Sequence, residues 1–92
     1  MSRFGKWMLH FAQETEIPVS AAGVPEVVLT GFGEVSVEQQ RGLLAYAPEE
    51  VVVAIPSGRV SVSGNGLRIV RMKERQIVLR GEIAGIRLER EG

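Results

Sequence analysis

Apolar residues follow two different spacings along this chain. Between residues 4 and 11, Phe4, Trp7, Met8 and Phe11 fall three and four apart. That spacing places them on one face of a helix. From residue 26 onward, apolar residues come in short runs broken by glycine or alternate with polar ones. Alternation with period two marks a strand with one buried face. The pattern predicts an amphipathic N-terminal helix over residues 1–15. An extended linker over 16–25 follows, where Pro18 and Pro25 disfavour helix at the residues before them. An all-β domain then fills residues 26–90.

Within that domain Val27-Val28-Leu29-Thr30 reads as a strand, and Gly31-Phe32-Gly33 as a turn. Val35 and Val37 alternate with Glu34, Ser36 and Glu38. Gly42 to Ala47 forms a third strand. Val51 to Ile55 is continuously apolar, which predicts cover on both faces. Val60 and Val62 alternate again, and Gly64-Asn65-Gly66 carries the Asn-Gly signal of a tight hairpin. Leu67 to Arg71, Gln76 to Arg80 and Ile83 to Leu88 bring the total to about eight short strands. A turn signal every ~8–12 residues points to a small β-sandwich-like domain. A weak repeat of Val27-Val28-Leu29, Val51-Val52-Val53 and Ile77-Val78-Leu79 admits a short β-solenoid as the alternative.

Composition sharpens this reading. Thirteen valines and six isoleucines among 92 residues favour strands. The length allows one small core and no second one. A core that small, with exposed edge strands, leaves room for a homo-oligomer. No run approaches the ~20 apolar residues of a membrane-spanning helix, and the N-terminus lacks the apolar region of a secretory signal. The expected location is the cytoplasm.

The side chains exclude much chemistry. There is no Cys and no Asp, and His10 is the one histidine. Disulfides, thiolate nucleophiles and Cys-based metal sites are therefore absent. Neither Gly31-Phe32-Gly33 nor Gly64-Asn65-Gly66 continues into a phosphate-loop signature. We expect no enzyme activity, no cofactor and no metal. Net charge is zero, but residues 1–50 hold three basic and seven acidic groups (−4), and residues 51–92 hold eight and four (+4). Arg68, Arg71, Lys73, Arg75 and Arg80 cluster in the second half, which admits a nucleic-acid-binding module. The neutral total and the scarcity of aromatics argue against it. The stripe of Phe4, Trp7, Met8 and Phe11 either packs on the sheet or docks on a partner or membrane surface, where Arg3 and Lys6 suit anionic lipid.

The ordered set of motifs resembles the YabP/YqfC family of sporulation proteins, and its YqfC branch most closely. The matching features are Trp7 in the N-terminal stretch, Ile17-Pro18, and Val27-Val28-Leu29-Thr30-Gly31. Next come Glu38-Gln39-Gln40-Arg41-Gly42, where the family has an ENHRG-like stretch, then Gly58 to Leu67 and Ile77 to Ile86. Glu38, Arg41 and Gly42 match that stretch, and Gln39 and Gln40 replace its Asn-His pair. The resemblance implies a β-sandwich-like, non-enzymatic protein of the mother cell. It also implies a YqfD-like membrane protein as partner, with the protein peripheral at the membrane. Phe4, Trp7, Met8 and Phe11 would then be the anchor, and Gln39, Gln40 and Arg41 a second contact.

Overall fold

The structure is a computed structural model, and it describes residues 24–91. The expected helix over 1–15 and most of the expected linker lie outside the described residues. The described chain is all-β. Its strands are β1 (Glu26–Thr30), β2 (Glu34–Glu38), β3 (Gly42–Ala47), β4 (Glu50–Ile55), β5 (Gly58–Lys73) and β6 (Gln76–Arg90). They form one open antiparallel sheet in the order β1-β2-β6-β5-β4-β3.

Six strands replace the expected eight or so because β5 and β6 are each twice as long as the local pattern suggests. Asn65-Gly66 is not a hairpin turn. Asn65 pairs with Glu82 and Arg68 with Arg80, so β5 advances three residues while β6 advances two. The extra residue is absorbed as a bulge, and a bulge bends a strand rather than reversing it. The solenoid alternative also falls. Every pairing is antiparallel, and the three repeated triplets lie on β1, β4 and β6, which are not neighbours.

The β5–β6 hairpin is shared by two portions of the sheet. Its turn end pairs with β2, through Glu34–Glu38 against Gln76–Arg80. Its open end pairs with β4, through Glu50–Ile55 against Gly58–Ser63. The bulges lie between, and the inner faces of both portions bury one core. Val35, Val37, Ile77 and Leu79 come from the first portion; Val51, Val53, Val60 and Val62 come from the second. All eight are fully buried, and burying one such side chain contributes roughly 1.5–3 kcal/mol. Leu67 and Ile83 fill the bend between them. The β4 run is covered on one face only: Val51 and Val53 are buried, whereas Val52 and Ala54 are half-buried.

Each hairpin turn caps one side of the bend. Gly81 and Ile83 donate their amides to the carbonyls of Gly33 and Phe32, at 3.1 and 2.9 Å. Gly64 and Leu67 donate to Glu49 and Pro48, also at 3.1 and 2.9 Å. These four bonds satisfy amides at the bend and carry the β2–β6 and β4–β5 pairings into the two flanking turns. The opposite charges of the two halves meet once among the described residues, in the Arg80–Glu34 pair at 3.6 Å. Arg59 and Arg87 both grip Glu89, and the Arg59 hydrogen bond at 2.7 Å holds that carboxyl below its ordinary value.

The bend requires two strands to approach more closely than side chains allow. A Cβ on Gly64 would drive into the Glu82 carbonyl oxygen, and one on Gly81 would meet Gly66 O at 2.7 Å and Leu67 Cα at 2.9 Å. Gly33, by contrast, has only Gly81 O at 3.8 Å. We expect Gly64→Ala to cost about 1–3 kcal/mol through overpacking, and Gly33→Ala to cost much less. Urea unfolding followed by far-UV circular dichroism checks both. Equal midpoints for the two variants would remove the bend as a stability determinant.

Candidate functional site

The polar corner over residues 39–42 links β2 to β3 and crosses from one portion of the sheet to the other. The β5–β6 turn supports it. Gln39 and Gln40 donate their amides to the Arg75 carbonyl, at 2.6 and 3.3 Å, and Arg41 donates to Ala54 at 2.7 Å. The bond from Gln39 is made with its backbone in the left-handed region, φ 67°. Asn tolerates that region better than residues with longer side chains. The Asn that stands at this position in the resembling family therefore has a conformational reason, and Gln39 keeps the shape at some cost.

Gln40 is a clamp. Its side chain is 7% exposed, and its Nε2 donates to both Lys73 O and Glu74 O at 3.0 Å. Two carbonyl acceptors fix the amide orientation, because only the NH₂ end can donate. That leaves Oε1 buried without a hydrogen-bond partner, an uncommon condition that costs about 1–3 kcal/mol. Arg41 is exposed. The structure thus divides the three corner residues named from the sequence: Gln39 shapes the chain, Gln40 holds the turn, and Arg41 presents a free charge.

Around them lies a concavity of about 330 Å³ lined by Gln39, Gln40, Arg41, Gly42, Met72, Glu74 and Arg75. Met72 is 56% exposed at its wall. Sequence reasoning missed Met72 and Glu74, and it named Arg75 only within the basic cluster. They sit more than thirty residues from the corner, and only the close of the β5–β6 hairpin brings them there. Tyr46 was missed too: its Oη accepts the Ile69 amide at 3.1 Å, so β3 reaches the second half of β5. Phe4, Trp7, Met8 and Phe11 lie outside the described residues.

The basic cluster is only partly a surface of free charge. Arg80 is tied to Glu34 and stands opposite Arg68 in the ladder. Arg41, Arg68, Arg71, Lys73 and Arg75 make no ion pair with any described acidic residue. No group of three or more potential metal ligands occurs among the described residues, and these residues contain no helix long and apolar enough to cross a membrane.

Two substitutions separate shape from clamping. Gln39→Asn should raise stability by about 0.5–1 kcal/mol, because the left-handed conformation costs Asn less. Gln40→Glu should lower it, because a carboxylate facing two carbonyl oxygens loses both bonds and repels them. Protonation restores one donor, so the folded-state pKa at position 40 is raised. The deficit of this variant should therefore be largest above the folded pKa and shrink as pH falls through it. Thermal unfolding of both variants between pH 4 and 8 checks the pair; a pH-independent deficit for Gln40→Glu would reject the clamp.

No curated protein matches the chain. The YabP family model matches residues 22–92, a span that includes all six strands, the corner and the β5–β6 turn. The resemblance noted in the sequence is thereby resolved at the level of the family. The chain belongs to the YabP family, a sporulation-associated family.

Proposed function

We propose that the protein is a non-enzymatic interaction module of the mother cell in a spore-forming bacterium, of the YqfC-like branch, which holds a YqfD-like membrane protein. The observation that carries this reading is family membership over residues 22–92, joined to a corner that the fold builds with Arg41 exposed. The N-terminal stripe of Phe4, Trp7, Met8 and Phe11 is the anchor, since aromatic residues dominate binding energy at contacts. Arg41 adds a second contact at the corner. In this reading the protein is made in the cytoplasm and works at the membrane surface through its partner.

A nucleic-acid module is the second reading, and the five unpaired cations favour it. Its aromatic platform is poor. Phe32 is 83% exposed at the β1–β2 turn, whereas Tyr46 already accepts the Ile69 amide. Single-strand binders stack successive bases on neighbouring rings, and these two rings serve different strands. The acidic Glu34 and Glu38 on β2 also break the basic field.

Localisation of a fluorescent fusion in sporulating cells tests the first reading. The full chain should gather at the mother-cell or engulfing membrane. A chain lacking residues 1–14, and the Trp7→Ala variant, should become diffuse while the far-UV spectrum of the β domain is unchanged. A folded Trp7→Ala variant that still gathers at the membrane would remove the anchor.

A further inference from the structure

β3 and the second half of β5 run side by side without a backbone ladder. Three bonds bridge the gap: the Leu67 amide to Pro48 O in the β3–β4 turn, the Ile69 amide to Tyr46 Oη on β3, and Gln40 Nε2 in the β2–β3 corner to Lys73 O. Between Ile69 and Lys73 the seam is about 13 Å long at ~3.3 Å per extended residue. The ladder pairs β3 with β4 alone and residues 68–73 of β5 with β6 alone. The β3 side is therefore a strand edge with main-chain groups available for pairing, whereas on the β5 side the Leu67 and Ile69 amides and the Lys73 carbonyl are already bonded.

The two lips differ in chemistry. The β3 lip, Gly42–Ala47, carries no charge, and Leu44 and Tyr46 are 57% and 53% exposed. The β5 lip carries Arg68, Arg71 and Lys73, with Arg75 beyond its end and Arg41 facing it from the start of β3. All five cations are exposed, and none pairs with a described acidic residue. Glu74 is the one acidic residue among those lining the concavity at the foot of the seam. Gln40, at the same foot, is taken up inside the fold by its bonds to Lys73 O and Glu74 O.

We propose that this seam is the docking channel for an extended acidic segment of a partner protein. The main chain of the segment pairs with the free edge of β3, in the manner of strand addition. Its apolar side chains meet Tyr46 and Met72. Its carboxylates meet the β5 lip, where arginine forks match carboxylate geometry. The proposal rests on the reading of the protein as an interaction module but not on its N-terminal anchor.

Titration of the full ¹⁵N-labelled chain with a short peptide of alternating Glu and Val tests it. A peptide of alternating Lys and Val and an oligothymidylate serve as comparison probes. The expected result is a saturable change confined to residues 42–47 and 67–75, weakened by salt. The double variant Arg71→Glu with Arg75→Glu should bind about tenfold more weakly with an otherwise unchanged spectrum. If that variant loses its fold, Arg71→Gln with Arg75→Gln takes its place. Absence of saturable binding at millimolar peptide would overturn the proposal. So would an equal response to the lysine peptide, indifference to the charge changes, or preference for the oligothymidylate. If the seam fails while Trp7-dependent recruitment persists, the interaction module stands and only its second contact is lost. If recruitment fails while the peptide binds the seam, the anchor is lost instead.

Discussion

The architecture depends on one close approach, where β5 and β6 pass each other at Gly64 and Gly81. The backbones there are too near for a Cβ on either residue. A hairpin of fifteen- and sixteen-residue strands left straight would make a flat ribbon with one face of valine and leucine open to water. Bulges at this point bend it, so that the face bearing Ile77 and Leu79 meets the face bearing Val60 and Val62. β2 and β4 then bury their own valines by pairing with opposite ends of the same hairpin. Amides at the bend are taken up by the two flanking turns. The cost of breaking the ladder is offset locally, and the bend becomes a fixed joint.

That joint also decides what could be read from the residues in order. β1 to β4 were legible, because period two and glycine turns report local geometry. The joint was not. Gly64-Asn65-Gly66 carries the same signal as a two-residue hairpin, since both features need small residues and a positive φ, here 62° at Gly66. Only the register of the opposing strand tells them apart. Bulges count residues against a partner, and a single sequence does not contain that count. The same blindness split β5 and β6 into four strands and suggested a repeat among triplets whose strands are not neighbours in the sheet.

The corner was legible by resemblance but not by role. Glu38, Gln39, Gln40, Arg41 and Gly42 stand together in the sequence, yet each does different work. Glu38 accepts a hydrogen bond from Gln76 Nε2 at 2.6 Å. Gln39 bends the chain, Gln40 reaches thirty-three residues ahead to Lys73, and Arg41 is left outward. Roles divide this way because the corner crosses between the two portions of the sheet. Its backbone must turn, its inner side chain must be satisfied, and its outer one is unconstrained. A run of polar residues in a loop thus combines structural and binding positions. Burial separates them, and burial depends on the distant β5–β6 turn.

The bend that closes the core also opens the seam. β4 ends where β5 crosses to the other portion, so the second half of β5 has no strand neighbour on that side. Natural sheets protect such an edge with charge, proline or cover. Here the β5 edge has partial cover from Pro48, Tyr46 and Gln40 and charge from Arg68, Arg71 and Lys73. The facing β3 edge has neither charge nor proline, and its bulge at Leu44 turns one apolar side chain outward. Two β3 edges could pair with each other, but bringing two copies together there would set basic lip against basic lip, and like charges in register oppose association. A neutral edge beside a basic one therefore disfavours self-pairing and favours a strand of opposite charge. The asymmetry follows from strand length, since six-residue β4 covers only the first part of sixteen-residue β5.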